Sequence, residues 1–484
     1  MTRLHDLTAL EQATAVRRGE VSPTELVEHC LARVEALDAG LGAFITVTPE
    51  RALAAAAAAE RRLHAGGELP PLLGVPTAIK DLTATAGVRT TYGSRVTADT
   101  VPDTDDAVVT ALAAAGTISL GKTNTPEFGF PCYTDNDLVG PARCPWDPTR
   151  LAGGSSGGAA VAVAAGFVPF AEGSDGGGSV RIPASINGLV GVKPSRGRIS
   201  NAPVGAEISG LGTHGPLART VRDAAAMLDA MAGPVPGDPY WAAPLPDGDT
   251  FLQCAERPVG RLRVGRFLES AMPGVDLEPA VRTAFEDASS LLEELGHEVV
   301  DVPTGLLGPA VLAAFEPVWA LSGTLLPVPE ERVGELRPLT RELRGRGLAL
   351  SAQQAMQALT ELRLFSRRFV VATSGFDVLL APVTTMTPRP LGWFDADGDG
   401  AEDFERQKRY AAFTALFNVT GQPAVSVPLH WTDDDLPVGS MLVGRPADEA
   451  TLLALSAQLE EARPWAARHP APWYHDAAPT AAPR

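Results

Sequence analysis

Two glycine- and serine-rich runs hold the residues best suited to chemistry. Gly153-Gly154-Ser155-Ser156-Gly157-Gly158 and Ser174-Asp175-Gly176-Gly177-Gly178-Ser179-Val180-Arg181 flank a short stretch rich in Ala and Val. Glycine loses more conformational freedom on folding than any other residue, so such clusters belong where the backbone bends sharply or brings its N–H groups close to a ligand. Three glycines ahead of Ser179 can point several N–H groups into one hollow. Such a nest would hold the oxyanion formed if Ser179 attacked a carbonyl, and the helix that follows would add a favourable dipole. Either run taken alone also describes a tight turn with a capping serine.

A serine nucleophile needs a base, and no histidine here sits in an obvious setting for that role. Lysine is the better candidate. The chain has only four, Lys80, Lys122, Lys193 and Lys408, and otherwise uses arginine for positive charge. Lys80 ends the run Leu73-Gly74-Val75-Pro76-Thr77-Ala78-Ile79, which reads as a strand entering the core, with Asp81 next. To be neutral at pH 7 its pKa must come down from about 10.4, at a cost of roughly 4 to 5 kcal/mol, and burial among apolar neighbours supplies that. The structural alternative is a snorkelling Lys80 paired with Asp81.

With these runs in view, the chain resembles the amidase signature family. Ile79-Lys80-Asp81-Leu82, the Gly-Gly-Ser-Ser-Gly-Gly run, the Asp-x-Gly-Gly-Ser-x-Arg run and Gly191-Val192-Lys193-Pro194 carry the likeness. It extends through Gly121-Lys122-Thr123-Asn124-Thr125-Pro126-Glu127-Phe128, through Gly215-Pro216-Leu217-Ala218-Arg219-Thr220-Val221 and through Phe417-Asn418-Val419-Thr420-Gly421-Gln422-Pro423, so it covers most of the chain.

The resemblance implies a triad of Lys80, Ser155 in a cis peptide, and Ser179 as nucleophile. It implies an acyl-enzyme, oxyanion donors from the N–H groups of Gly176, Gly177, Gly178 and Ser179, and loop-orienting roles for Ser156, Asp175 and Arg181. The family often places Thr or Ile where Gly176 stands; since the donor is backbone, this departure implies greater flexibility rather than loss. A small-molecule amide is the implied partner, with neither metal nor cofactor, and a homodimer is common in the family. The sequence looks most like stand-alone bacterial amidases, including the aminohexanoate cyclic-dimer hydrolase type, with similar runs at 178–185 and 458–465. The same fold also serves as the ammonia-producing subunit of a tRNA-dependent amidotransferase, which is the alternative reading.

These residues must be positioned by ordinary elements. Ser22-Pro23-Thr24-Glu25 has the capping-box arrangement, and Leu26, Val27, Cys30, Leu31, Val34 and Leu37 follow at helical spacing, with Glu25, Glu28, Arg33 and Glu35 expected outside. The Ala-rich stretch 52–59 favours helix by propensity. Beyond Leu72, short apolar runs alternate with helical stretches at 106–115 and 159–165, which indicates α/β layering. Strands are expected at 78–79, 117–120, 262–265, 298–302, 378–381 and 424–428. The Pro- and Gly-rich stretch 233–249 reads as a long surface connection, and 477–484 as a frayed end.

The fold class expected is therefore α/β. The resemblance makes it one large α/β/α domain over 1–484, with a central mixed twisted sheet of many strands covered by helices on both faces. Its family-like core would span about 70–225 and 410–465. A variable region at about 300–405 would wall the substrate pocket, where Phe315, Trp319, Phe365 and Phe369, with Phe130, point to an apolar amide: aliphatic, aryl or cyclic. Phe315 and Trp319 fit core or pocket wall equally.

Composition removes other classes. A net charge of −18 with no long basic run speaks against nucleic acid as a direct partner. No run is apolar and long enough to span a bilayer, and the first residues break up any export signal. Cys30, Cys132, Cys144 and Cys254 lack C-x-x-C spacing and fit a reducing cytoplasm.

Three further motifs are weaker. Gly154-Ser155-Ser156-Gly157-Gly158 matches a G-x-S-x-G nucleophile elbow with Ser156 attacking, but the preceding 144–150 carries two prolines and reads as loop rather than strand. Asp395-Ala396-Asp397-Gly398-Asp399-Gly400 begins like a calcium loop, yet Arg406 stands at the twelfth position, so a solvated acidic loop is expected. His214, before Gly215-Pro216, reads as a turn residue.

Overall fold

The computed structural model describes residues 3–475. Its thirteen strands are β1 (Phe44–Val47), β2 (Pro76–Lys80), β3 (Ile118–Thr123), β4 (Arg143–Cys144), β5 (Asp147–Leu151), β6 (Phe170–Asp175), β7 (Val190–Lys193), β8 (Thr213–Ala218), β9 (Arg263–Arg266), β10 (Glu298–Asp301), β11 (Val378–Pro382), β12 (Ala424–Trp431) and β13 (Pro437–Gly444). All six expected strands are present with shifted ends. The eight-stranded sheet runs β10-β9-β11-β13-β12-β7-β8-β6, and a three-stranded sheet runs β1-β3-β2. The large sheet is mixed: β10, β9 and β11 are parallel, and every pairing from β11 onward is antiparallel.

Alternation along the central strands shows why both faces carry helices. Val378 and Leu380, with Val425 and Val427, pack into one core beneath the helices Val221–Met231, Pro279–Glu294 and Glu449–Ala462. Their neighbours Leu379, Ala381 and Ala424 enter a second core on the opposite face, shared with Phe365 and Phe369 of the helix Ala352–Ala372. A strand buried on both faces has no polar side, so its sequence is an apolar run rather than an alternating one.

The two sheets meet edge to edge at β2 and β6, where side chains stand in for a ladder. Thr77 Oγ1 donates to the Phe170 carbonyl at 3.3 Å, and the Lys80 N–H donates to Glu172 Oε2 at 2.8 Å. The first glycine-rich run leads into the helix Gly157–Ala164, which is buried along its whole length. At Gly158 a Cβ would lie 2.3 Å from the Asn124 nitrogen and 2.4 Å from the Ala43 oxygen, so only glycine lets this helix approach the β1/β3 end so closely.

Several local expectations are met and others corrected. Ser22 and Glu25 cap the helix Pro23–Leu41 reciprocally, with Pro23 at its first turn. Arg33 on that helix is not outside but fully buried. Its guanidinium donates to the carbonyls of Ala165 and Gly166 at 2.8 and 3.0 Å, covering orphan carbonyls at the end of another helix. The segment before Ser155 is not a plain loop: β4 and β5 form an antiparallel ladder, which tolerates the exposed Pro148 because a two-stranded ribbon is all edge. Residues 233–249 are mostly irregular and exposed, and 477–484 lies outside the described residues. No helix among the described residues is long and apolar enough to cross a membrane, and all four cysteines are free and buried.

Candidate active site

β2 ends at Lys80 in a wholly buried strand. The side-chain nitrogen Nζ lies 2.8 Å from Ser155 Oγ, 3.0 Å from Ser174 Oγ and 3.2 Å from the Ser174 carbonyl, with the side chain fully enclosed. Burial lowers the Lys80 pKa to about 7 from its ordinary 10.5, against the opposing pull of Glu172 and Asp175. Asp81 is not its partner. That carboxylate turns away to accept from the Thr91 N–H at 2.9 Å and the Thr91 hydroxyl at 2.5 Å.

Ser155 follows a cis Gly154–Ser155 peptide and is 2% exposed. Ser156 ties this loop to the end of β6: its hydroxyl donates to the Ser174 carbonyl at 3.1 Å and accepts from the Ser174 N–H at 3.2 Å, while its own N–H donates to the Ser179 carbonyl at 3.1 Å. A hydroxyl engaged on both sides by backbone leaves Ser156 poorly placed to attack anything.

Beyond β6 the chain turns through Gly176-Gly177-Gly178 into the helix Arg181–Asn187. Asp175, fully buried, organises this turn. It accepts from the N–H groups of Gly178 (2.7 Å) and Val180 (3.1 Å), from Arg181 through both carboxylate oxygens (3.0 and 2.9 Å), and from Asn418 Nδ2 (2.9 Å). Burial by itself would raise this carboxyl; the charge and hydrogen bonds of Arg181 outweigh it and hold Asp175 far below the ordinary range. Arg181 also donates to the Thr414 carbonyl and Asn418 Oδ1, at 2.9 and 2.7 Å.

One of the four expected oxyanion donors must be struck out. The Gly178 N–H is spent on Asp175 and cannot face a ligand. The N–H groups of Gly176, Gly177 and Ser179 have no acceptor among the described residues. Gly178 serves packing instead: its φ is 131°, and a Cβ there would lie 2.3 Å from Thr414 Oγ1.

Ser179 is 7% exposed and lies where two cavities adjoin. One, of about 880 Å3, is an apolar cleft walled by Ile182, Val311, Leu312, Phe315, Trp319 and Leu416. The other, of about 1100 Å3, is polar, and holds Ser155, Ser174, Asp106, Glu207 and His214. Phe130 and Trp319 belong to both walls. Phe315 and Trp319 are therefore pocket wall, stacked at 5.6 Å between ring centroids. Phe365 and Phe369 are not; they pack with Phe267 and Phe417 in the core behind the site.

The sequence alone did not single out Glu172, and it pointed to a turn role for His214. Glu172 is fully buried beneath Lys80, and besides the Lys80 N–H it takes the Thr83 hydroxyl and His214 Nδ1, the latter at 2.8 Å. His214 is not a turn residue; it lies in β8 opposite Ser174 of β6. The available signal was an acid closing the apolar run Phe167-Val168-Pro169-Phe170-Ala171. Asp399 caps the helix Gly400–Tyr410, and Asp395 and Asp397 pair with Arg337 and Arg406, so the acidic loop has its own structural uses. Among the described residues no cluster of three or more His, Cys, Asp or Glu could hold a metal ion.

A model of the amidase family matches residues 25–453. An acylamidase from Rhodococcus erythropolis is 36% identical, covering 97% of this chain and 98% of its own length. A glutamyl-tRNA(Gln) amidotransferase subunit from Chloroflexus aggregans is 38% identical, covering 97% of this chain and 99% of its own. The structure of 6-aminohexanoate cyclic dimer hydrolase complexed with substrate superposes with a TM-score of 0.89 at 33% identity, covering 97% of this chain and 99% of that one.

Proposed function

We propose, for a chain that belongs to the amidase signature family and is an amide-hydrolysing enzyme, that Ser179 is the nucleophile, Ser155 the proton relay and neutral Lys80 the base. The observation that carries this is the 2.8 Å contact between a buried Lys80 Nζ and Ser155 Oγ, in a cavity wall shared with Ser179. In the forward step Ser179 Oγ bonds to the carbonyl carbon as its proton passes to Ser155 Oγ, whose own proton passes to Lys80 Nζ. The carbonyl π pair moves onto oxygen, where the N–H groups of Gly176, Gly177 and Ser179 are the available donors. As the oxyanion collapses, the C–N bond breaks, and Lys80 returns a proton through Ser155 to the departing nitrogen. Water then attacks the acyl-enzyme through the same relay and frees the carboxylate.

Ser156, Asp175 and Arg181 act here as positioning residues, since their hydrogen bonds hold the two loops against each other. The apolar cleft favours an aliphatic, aryl or cyclic amide with a hydrophobic body. A fluorophosphonate label located by peptide mapping, read beside turnover of linear, cyclic and aryl amides, tests the assignment. Label on Ser179 with loss of turnover is expected; an active enzyme labelled on another serine, Ser156 included, overturns it.

The likeness to an amidotransferase component favours a second reading, in which the chain supplies ammonia within a complex. Gel filtration with parallel glutaminase and amide assays separates the two. Hydrolysis of simple amides without glutaminase by the isolated chain supports the stand-alone enzyme.

A further inference from the structure

The polar arm of the site holds Ser155 and the apolar cleft does not. A departing nitrogen must lie within reach of the hydroxyl that reprotonates it, so with Ser155 in that role the nitrogen of the scissile bond belongs in the polar arm. Its lone pair then faces Ser155, and the hydrogen it already carries needs an acceptor elsewhere in the same arm.

His214 supplies one. It stands directly opposite Ser174 in the β6/β8 ladder, on the face shared by Ser174 and Glu172, which puts its Cβ about 5 Å from that of Ser174. Ser174 Oγ is itself 3.0 Å from Lys80 Nζ, so the imidazole borders the relay. Burial by itself would raise the Glu172 carboxyl; the hydrogen bond and charge of His214, with the Lys80 N–H, outweigh it and hold Glu172 below the ordinary range. An ionised carboxylate only accepts, so the 2.8 Å contact with Glu172 Oε1 fixes a hydrogen on His214 Nδ1 and leaves Nε2 of the neutral ring with a lone pair. That Nε2 has no hydrogen-bond partner among the described residues, yet it is not sealed in as the free oxygen of Asp106 is, and its ring lines the cavity. The carboxylates of the arm are otherwise engaged: Asp175 is spent on Arg181, and Glu207 faces the charge of Arg196.

We propose that His214 is a specificity-determining residue, whose Nε2 accepts the hydrogen of the scissile N–H and so favours primary and secondary amides over esters. His214 neither gains nor loses a proton in this role; the departing nitrogen still receives its proton from Ser155. The proposal rests on the Ser179–Ser155–Lys80 reading, and its test separates the two.

Hexanoyl 4-nitroanilide and 4-nitrophenyl hexanoate, which differ at the scissile atom by N–H against O, are compared at pH 8 in wild type and two variants, with melting temperatures to follow the fold. His214→Asn sets an amide N–H where Nδ1 stood, keeping the bond to Glu172, and deletes the acceptor. His214→Gln sets an amide oxygen where Nε2 stood and gives up the bond to Glu172. The anilide-to-ester ratio of kcat/KM is expected to fall about tenfold in His214→Asn and by clearly less in His214→Gln. A role confined to supporting Glu172 would spare His214→Asn and damage His214→Gln.

A ratio unmoved in His214→Asn overturns the proposal, as does an equal or larger fall in His214→Gln. Wild-type enzyme that leaves the anilide intact while fluorophosphonate labels Ser179 also overturns it, and leaves the catalytic reading in place. Hydrolysis of the anilide by a Ser179→Ala variant would instead remove the reading beneath it.

Discussion

Lys80 Nζ approaches Ser155 Oγ at 2.8 Å, while Asp81, its neighbour in sequence, turns the other way to Thr91. A lysine buried without a directly paired carboxylate has lost hydration and gained only hydroxyl and carbonyl contacts, which is why its pKa falls to about 7. In the proposed mechanism, catalysis and stability both turn on that contact.

In the proposed relay the free amine is the active form, so kcat/KM should rise with pH through about 7 and then level. Glu172 raises the Lys80 pKa by its negative charge. Glu172→Gln should therefore move the acidic limb to lower pH, a shift that mere loosening of the fold would not produce. Lys80→Ala should lower kcat by about a thousandfold or more and abolish this limb. A pH–rate series on the three proteins checks this; an unmoved limb in Glu172→Gln would refute the coupling.

The same burial makes Lys80 a liability for folding. Its pKa is about 7 in the folded chain and about 10.5 ordinarily, so between those values the unfolded chain holds the proton more tightly. Stability contributed at this site falls as pH drops from about 10.5 to 7 and changes no further below that. At pH 7 the cost is up to about 4 to 5 kcal/mol, of which lost hydrogen bonds in a variant would take back about 1 to 3. Lys80→Met should thus be inactive yet melt higher than wild type at pH 7, with a smaller advantage at pH 10. Thermal melts at both pH values decide the matter.

Ser179→Ala should remove turnover and fluorophosphonate labelling together, with kcat down by about a thousandfold or more. Far-UV circular dichroism and the melting temperature should stay near wild type. Turnover at the wild-type rate in a folded variant would end the assignment.

Asp175→Asn leaves Arg181 buried beside a neutral partner. Breaking a buried ion pair from one side costs about 3 to 5 kcal/mol, so the denaturation midpoint should fall accordingly. Because the Asp175 carboxyl is held far below its ordinary range, its contribution to wild-type stability is present above that range and lost only as pH falls well beneath it. The gap between wild type and variant should therefore persist from pH 8 to pH 5 and narrow only in strong acid.

The glycines of the turn should separate by substitution. Gly178→Ala forces a Cβ to 2.3 Å from Thr414 Oγ1 at a φ of 131° and should destabilise the loop and cut kcat. At Gly177 the nearest atom to a new Cβ is Trp319 at 3.8 Å, so Gly177→Ala should fold normally and chiefly raise KM for bulky acyl chains. Melting temperatures and KM values for short and long acyl amides test the contrast.

The amino-acid order by itself already marked where chemistry could sit. Scarce lysine, one of them closing an apolar run, and two Gly/Ser clusters mark residues too costly to keep without a use, and they made Lys80 and Ser179 candidates, while Ser155 joined them only through the resemblance to the amidase signature family. Strands with uninterrupted apolar runs, such as β11, were legible for the same reason: burial on both faces writes itself into composition. β6, β7, β8 and β13 were not, because their Gly and Pro residues read as turn signals when only the sheet's two-sided packing makes them strands. Only the tertiary structure could decide that Lys80 faces Ser155 rather than Asp81, that Gly178 gives its N–H to Asp175, that Arg33 lies inside, and that Glu172 meets the Lys80 backbone with His214 bonded behind it. These are matters of direction and distance between segments far apart along the chain, and local propensity carries no information about where a side chain in one segment meets the backbone of another.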